Sequence, residues 1–211
     1  MENVNALSLN IAIIPDQAIQ DLAIEMSRKV NQKIASYFIL NEKKVFPHVT
    51  VYQGYFPKEN IEKVKQSVIR ILAKTQPFTI EMGGFSISHE TFLFWRCFKS
   101  ESLLRLQEEV IKETNHLRDG LILPMLSNVD EFSSEDKFDI QNYGSLLIGP
   151  NYDPHITITR IKNAQDGETA LEMLGKQKVK HSFKVNSLVI GYLGDHGTVN
   201  EIIDKIPLKQ K

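Results

Sequence analysis

The sequence predicts an α+β or mixed α/β domain. Three observations carry that expectation. Strand-like and helix-like segments, about seven and four of them, interleave along the chain. No low-complexity tract or domain linker interrupts them. The 211 residues are 42% hydrophobic and 24% charged, ordinary usage for one globular unit.

The opening strand has a period of two: Leu7, Leu9, Ile11 and Ile13 alternate with Ser8, Asn10 and Ala12. Pro15-Asp16 stops it and caps a helix of about 20 residues, striped by Ile19, Leu22, Ala23, Met26, Val30 and Ile34. Phe46-Pro47 opens a second strand from His48 to about Tyr55. Pro57 then starts a helix whose buried stripe is Ile61, Val64, Val68, Ile71 and Leu72. Phe78 to Ile87 and Thr91 to Phe98 read as a hairpin turning at Ser88-His89-Glu90. Leu103, Leu106, Val110 and Leu117 place a third helix between about Ser100 and Leu117. From Gly120 to Pro154 the pattern fails, and the acidic stretch Asp130 to Asp136 within it is expected to be solvated. A connection this long is expected to be a functional loop, a lid or mobile sequence. His155 to Ile161 is again a strand, Gly167 to Leu174 a short helix and Phe183 to Leu193 a strand. Gly194-Asp195-His196-Gly197 turns the chain into a last strand ending near Ile206.

Charge and cysteine usage exclude several classes. Lys and Arg total 25 against 26 Asp and Glu, a formal charge of −1 without the basic excess of a protein that coats nucleic acid. A small or terminal phosphate ligand is compatible with that balance. No apolar run approaches the ~18 residues of a membrane span, so no membrane partner is expected. Met1 to Asn5 shows no basic region before a long apolar core, so no signal peptide is expected. The one cysteine, Cys97, has no partner for an internal disulfide and belongs to no zinc pattern. A cytoplasmic location, no metal and no cofactor are the expectations. The oligomeric state is open, and a monomer is compatible with the sequence.

One internal echo carries chemistry. Phe46-Pro47-His48-Val49-Thr50-Val51 returns as Asp153-Pro154-His155-Ile156-Thr157-Ile158, 107 positions later among 211 residues. On a strand, His48, Thr50 and Tyr52 would share one face, as would His155, Thr157 and Thr159. Val49, Val51, Ile156 and Ile158 would point into the core. Two such strands side by side make a cleft with two imidazoles. That pairing suits phosphodiester chemistry: a neutral imidazole takes a proton from the attacking oxygen, and a protonated one gives a proton to the leaving oxygen. The Thr hydroxyls can bond the non-bridging phosphate oxygens. No metal is needed.

These two His-x-Thr-x motifs resemble the 2H phosphoesterase superfamily, which includes bacterial 2′-5′ RNA ligase-like proteins and cyclic nucleotide phosphodiesterases. The resemblance runs over nearly the whole chain. It implies one domain over residues 1–211, with an insertion or long loop at about 120–154. It also implies two pseudo-symmetric lobes, antiparallel sheets lining a central cleft and helices outside. The implied catalytic pair is His48 and His155, with Thr50 and Thr157 on the phosphate. The expected function is metal-independent hydrolysis of a 2′,3′-cyclic phosphate or 2′-5′-linked phosphodiester, on a nucleotide or RNA-end substrate. The alternative is a nucleotide- or RNA-end-binding module with little turnover. Members commonly continue the first motif with a basic or aromatic residue and a Leu-Gly pair; here it reads Tyr52-Gln53-Gly54-Tyr55. The Arg that often follows the second motif is present as Arg160.

Other candidates carry two readings each. Arg160 either neutralises phosphate charge or is a solvated strand-end charge, and its parity is that of Ile158, so a bend is required to bring it round. Tyr52 either meets the substrate or packs at the rim. Tyr143 and Tyr192 are weaker candidates of the same kind. Phe92, Phe94, Trp95 and Phe98 could stack on bases, but an aromatic-rich strand is expected to be core. Cys97 is expected to be a small buried hydrophobe. His89, His116, His181 and His196 are expected at exposed turns and ends.

Overall fold

A computed structural model describes residues 5–175 and 180–208. Met1 to Val4, part of the stretch read for a signal peptide, lie outside the described residues. The chain begins with strand β1 (Ala6–Ile13), helix α1 (Gln17–Asn31), β2 (Val49–Pro57) and α2 (Ile61–Leu72). It continues with β3 (Phe78–Ser88), β4 (Phe92–Cys97), α3 (Glu101–Thr114) and α4 (Ser134–Tyr143). It closes with β5 (His155–Arg160), α5 (Gly167–Leu174), β6 (Ser182–Val185), β7 (Ser187–Leu193) and β8 (Val199–Pro207).

The strands form one eight-stranded antiparallel sheet in the order β6-β3-β4-β5-β2-β1-β7-β8. The expected lobes are its two halves, four strands each, and the two motif strands meet at the seam. β2 and β5 pair there through Val49 and Ile156. Strong ladders continue outwards, β2 to β1 and β5 to β4.

α1 and α3 start at side-chain caps, whereas α2 starts at Ile61, after a 3₁₀ turn over Lys58–Asn60, and not at Pro57, which ends β2. The Asp16 carboxylate accepts from the Ile19 amide at 3.1 Å, and the Ser100 hydroxyl from Leu103 at 3.3 Å. α1 ends at Asn31, short of the expected length, because the chain turns there and carries Ile34 into the core off the helix. The helix stripes join the buried side of the sheet: Ile19, Ala23 and Val30 from α1, Val64, Val68 and Leu72 from α2, and Leu103, Leu106 and Val110 from α3. Burying such aliphatic side chains stabilises by about 1.5–3 kcal/mol each, which makes this cluster the main source of cohesion.

Two expectations need correction. Phe183 to Leu193 is not one strand: β6 pairs with β3 at one edge, and after Asn186 β7 pairs with β1 in the other half. Continuous apolar alternation hides the crossover. The 120–154 segment is not structureless either. It holds α4, three short 3₁₀ turns and a separate small core of Leu123, Leu126 and Ile140 against Ala6 and Tyr55. The acidic stretch runs into the start of α4, where the Ser133 hydroxyl accepts from the Asp136 amide and Glu135 and Asp136 sit in the first turn. Negative charge there complements the helix dipole.

Candidate active site

The two motif strands repeat one exposure pattern. His48 is buried to 8% exposure and His155 is half-buried; in both, the next residue is fully buried, the Thr is half-exposed, and two buried residues precede a half-exposed one. The doubled burial comes from a bulge. Along β2, Ala12 pairs with Thr50 but Ile11 with Tyr52, so Val51 is an extra residue. Along β5, Phe94 pairs with Thr157 but Leu93 with Thr159, so Ile158 is an extra residue. A bulge inverts the facing of every residue beyond it.

The bulges settle where four residues face. Tyr52 does not share the face of His48 and Thr50; it is 1% exposed, and its hydroxyl donates to the Tyr143 carbonyl at 2.6 Å, with Asn115 Oδ1 at 3.0 Å. Burial pushes its pKa up to about 12. Thr159 likewise turns inward and donates to the Phe38 carbonyl at 2.7 Å. Arg160 gains the required bend and joins the face of Thr157, and Gln53 takes the matching place after the first motif. The carbonyl of the bulged Val51 accepts from Gln107 of α3 at 3.3 Å.

Both histidines are held in one tautomer by the same device. His48 Nδ1 lies 2.9 Å from the Phe46 carbonyl, and His155 Nδ1 lies 2.5 Å from the Asp153 carbonyl. A carbonyl only accepts, so Nδ1 carries the proton and Nε2 is the reactive nitrogen of the neutral ring. The intervening Pro47 and Pro154 fix the extended turn that brings each carbonyl back to the ring. Tyr152 ties the segment before the second motif to the first, its hydroxyl donating to the Thr50 carbonyl at 2.9 Å.

The surroundings of the two imidazoles differ. The register through Val49 and Ile156 runs His48 towards Thr157 and Thr50 towards His155. Phe94 stacks on His155 with ring centroids 3.6 Å apart. Asp153 Oδ2 lies 3.9 Å from His155 Nδ1, and Asp153 is ion-paired with Arg96. Burial pushes the His155 pKa down to about 4, against the pull of the Asp153 carbonyl and carboxylate; charge on His48 or Arg96 pushes it down further. Burial also lowers His48, against the carbonyls of Phe46 and Gly197.

Asn10 of β1 was not singled out in the sequence, where it reads only as a polar residue on the side of the strand away from Leu9 and Ile11. It is fully buried. Its Nδ2 lies 3.3 Å from His48 Nε2 and donates to Thr50 Oγ1 at 3.1 Å. Its Oδ1 is the one buried side-chain polar atom without a hydrogen-bond partner among the described residues. Such an orphan costs about 1–3 kcal/mol, so its retention asks for a reason.

Arg160 stands beyond Thr157, its guanidinium over Phe92 at 4.7 Å and Tyr37 at 5.2 Å from the ring centroids. It donates to His196 Nδ1 at 2.9 Å and pairs with no carboxylate among the described residues. His196 is therefore not simply a solvated turn residue; burial first, then the Arg160 charge, lower its pKa and keep Nδ1 an acceptor. The aromatic strand divides: Leu93, Trp95 and Cys97 are core, Phe92 and Phe94 lie on the imidazole face, and Phe98 is exposed. Burial pushes the Cys97 thiol up to about 12. No three His, Cys, Asp or Glu side chains among the described residues gather as a metal site. No helix among them is long and apolar enough to cross a membrane.

Comparison with known proteins places this geometry. A family profile described as the 2′-5′ RNA ligase superfamily matches residues 15–197. A Bacillus cytotoxicus protein named "Putative phosphoesterase" is 26% identical over 138 residues, 64% of this chain and 76% of that one. The crystal structure of TT0787 of Thermus thermophilus superposes with a TM-score of 0.60 at 18% identity, covering 97% of this chain and 100% of that one. Escherichia coli LigT complexed with NADP+ gives 0.59 at 13% identity, covering 97% and 99%. At these identities the two crystal structures speak for the fold.

Proposed function

The chain belongs to the 2′-5′ RNA ligase superfamily, and from that premise we propose that it is a phosphodiesterase using His48 and His155 as its acid–base pair. Its substrate on this reading is a 2′,3′-cyclic phosphate or a 2′-5′-linked phosphodiester of a nucleotide or RNA end. The observation that carries the reading is the seam: two motif strands, paired through Val49 and Ile156, bring two imidazoles within electrostatic reach with Nδ1 of each tied to a carbonyl.

The chemistry follows from that arrangement. One neutral imidazole takes the proton of an attacking water at Nε2, and the other, protonated, delivers one to the leaving oxygen. Thr50 and Thr157 donate to the non-bridging oxygens, where charge builds in the transition state. The phosphodiester's own negative charge favours an imidazolium beside it, which offsets the burial that lowers both histidines. Arg160, free of any carboxylate partner among the described residues, adds a fixed charge at the phosphate. Two supports bear on the ligand class. Escherichia coli LigT has been solved complexed with ATP and with 3′-AMP, both nucleotides. The face carrying the histidines also presents the half-buried ring of Phe92, which suits a base. We place the reaction in the cytoplasm, a reading that the single buried thiol of Cys97 supports.

The test is a substrate panel: 2′,3′-cyclic nucleotides, 2′-5′ oligoadenylates and RNA ending in a cyclic phosphate. Turnover of at least one, abolished by His48→Ala and by His155→Ala, is expected. Tight binding of these ligands with no turnover would replace the enzyme by a binding module.

A further inference from the structure

The unpartnered Oδ1 of Asn10 is 0% exposed, and the same side chain touches both reactive groups of the first motif. Its NH2 end faces His48 Nε2 and Thr50 Oγ1 together. On β7 the residue opposite Asn10 is Gly191, which offers no side chain to hold the far end of the amide. The far end thus finds no partner in the orientation seen, and the near end alone decides which way the amide points.

That near end meets a group that changes from acceptor to donor. A neutral His48, with Nδ1–H given to Phe46, offers a lone pair at Nε2 and suits the NH2 of Asn10. A protonated His48 offers Nε2–H, which the Asn10 carbonyl can accept and the Asn10 NH2 cannot. Thr50 follows the same rotation. While Asn10 donates to Thr50 Oγ1, the hydroxyl proton is free for a phosphate oxygen; with the amide reversed, the hydroxyl donates to Asn10 and is withdrawn.

Resting on the two-histidine reading above, we propose that Asn10 is a positioning residue whose amide orientation couples the protonation of His48 to the availability of the Thr50 hydroxyl for the substrate phosphate. The ionisable group facing His48 across the seam is His155; the other groups against it, the carbonyls of Phe46 and Gly197 and the Asn10 amide, are uncharged. Asn10, on the same half of the sheet as His48, can answer that protonation by rotating.

The experiment needs no substrate in its first arm. Imidazole and side-chain amide resonances of the full chain are followed by NMR against pH. In the wild type, the Asn10 NH2 shifts should titrate with the midpoint of His48. In Asn10→Asp, an isosteric carboxylate should raise the His48 midpoint by about one pH unit or more, with His155 moving less. In the second arm, the apolar near-isostere Asn10→Leu should melt at the same temperature or higher, since it removes a buried orphan, while turnover falls about tenfold or more because Thr50 loses its donor. In Asn10→Asp the pH–rate profile should shift on the limb that His48 controls. A His48 midpoint unchanged in Asn10→Asp overturns the proposal. So does Asn10→Leu that loses stability while keeping turnover, the signature of a purely structural amide. A wild type inactive on every phosphodiester would defeat the proposed function alone, since the NMR titration judges Asn10 independently of turnover.

Discussion

The Phe94 ring lies flat on the His155 imidazole, centroids 3.6 Å apart and planes 16° from parallel. No residue among those described does the same for His48, whose Nε2 faces the Asn10 amide instead. Two motifs nearly identical in sequence are thus set in different surroundings. Phe94 fixes the plane of the imidazole and excludes water from one of its faces. Phe94→Ala should therefore raise the His155 titration midpoint towards 6.5, the ordinary value from which burial displaces it. It should also lower turnover about tenfold, as the ring loses its alignment with the reacting oxygen. NMR titration and steady-state rates check both parts; an unmoved midpoint would mean that Phe94 does not supply the burial.

The pH dependence of kcat/KM should be bell-shaped with its maximum on the acid side of 6.5. Burial lowers both histidines in the free protein, His155 to about 4. One of them must be protonated and the other neutral, so the rate falls as pH rises through the higher of the two values and again as it drops through the lower. A rate profile in mixed buffers of constant ionic strength checks this. A maximum above neutrality would show that the lowered proton affinities do not govern the free enzyme.

Stability should respond in the same window. The unfolded chain binds a proton at 6.5 that the folded chain resists until about 4 at His155. The unfolded state therefore holds more protons between those values, and stability rises with pH across them. The contribution is complete above 6.5 and is lost as pH falls towards 4. Thermal melts of the wild type should drop across this window more steeply than those of His155→Asn, which removes the titrating ring. Parallel curves would contradict it.

Arg160 bonds His196 and lies between the rings of Phe92 and Tyr37. Such a stacked, planar guanidinium is not replaceable by a point charge. Arg160→Ala should raise KM about tenfold with a smaller change in kcat, the usual sign of lost phosphate binding. Arg160→Lys should recover only a minor part of that. Full recovery in Arg160→Lys would reduce the site to bulk charge.

Much of this was legible in the sequence because its causes are local. Alternation revealed β1, β2 and β5; caps and apolar stripes revealed α1, α2 and α3, whereas the mostly polar α4 carries no stripe and reads as loop; and the repeated Pro-His-x-Thr placed His48, Thr50, His155 and Thr157 on one face. The rest depends on partners that a single strand does not announce. The bulges at Val51 and Ile158, which send Tyr52 and Thr159 inward and bring Arg160 round, exist in the pairing with β1 and β4. The break at Asn186 is hidden because β6 and β7 are both apolar and extended while serving different halves of the sheet. Asn10 is one polar residue in an alternating strand until the fold lays β1 beside His48. His196 looks like turn sequence until the turn after β7 brings it to Arg160.

The central claim is that two imidazoles, without a metal, break a phosphodiester held at the seam. Phosphorus NMR of chelator-treated protein with adenosine 2′,3′-cyclic phosphate tests it most directly. The account predicts that the cyclic resonance is replaced by a single monoester resonance, the 2′-phosphate on the family resemblance, and that His48→Ala and His155→Ala each slow this by roughly 10²–10⁴ while remaining folded. Conversion that persists at the wild-type rate in either variant, or that appears only when a divalent metal is restored, would contradict it.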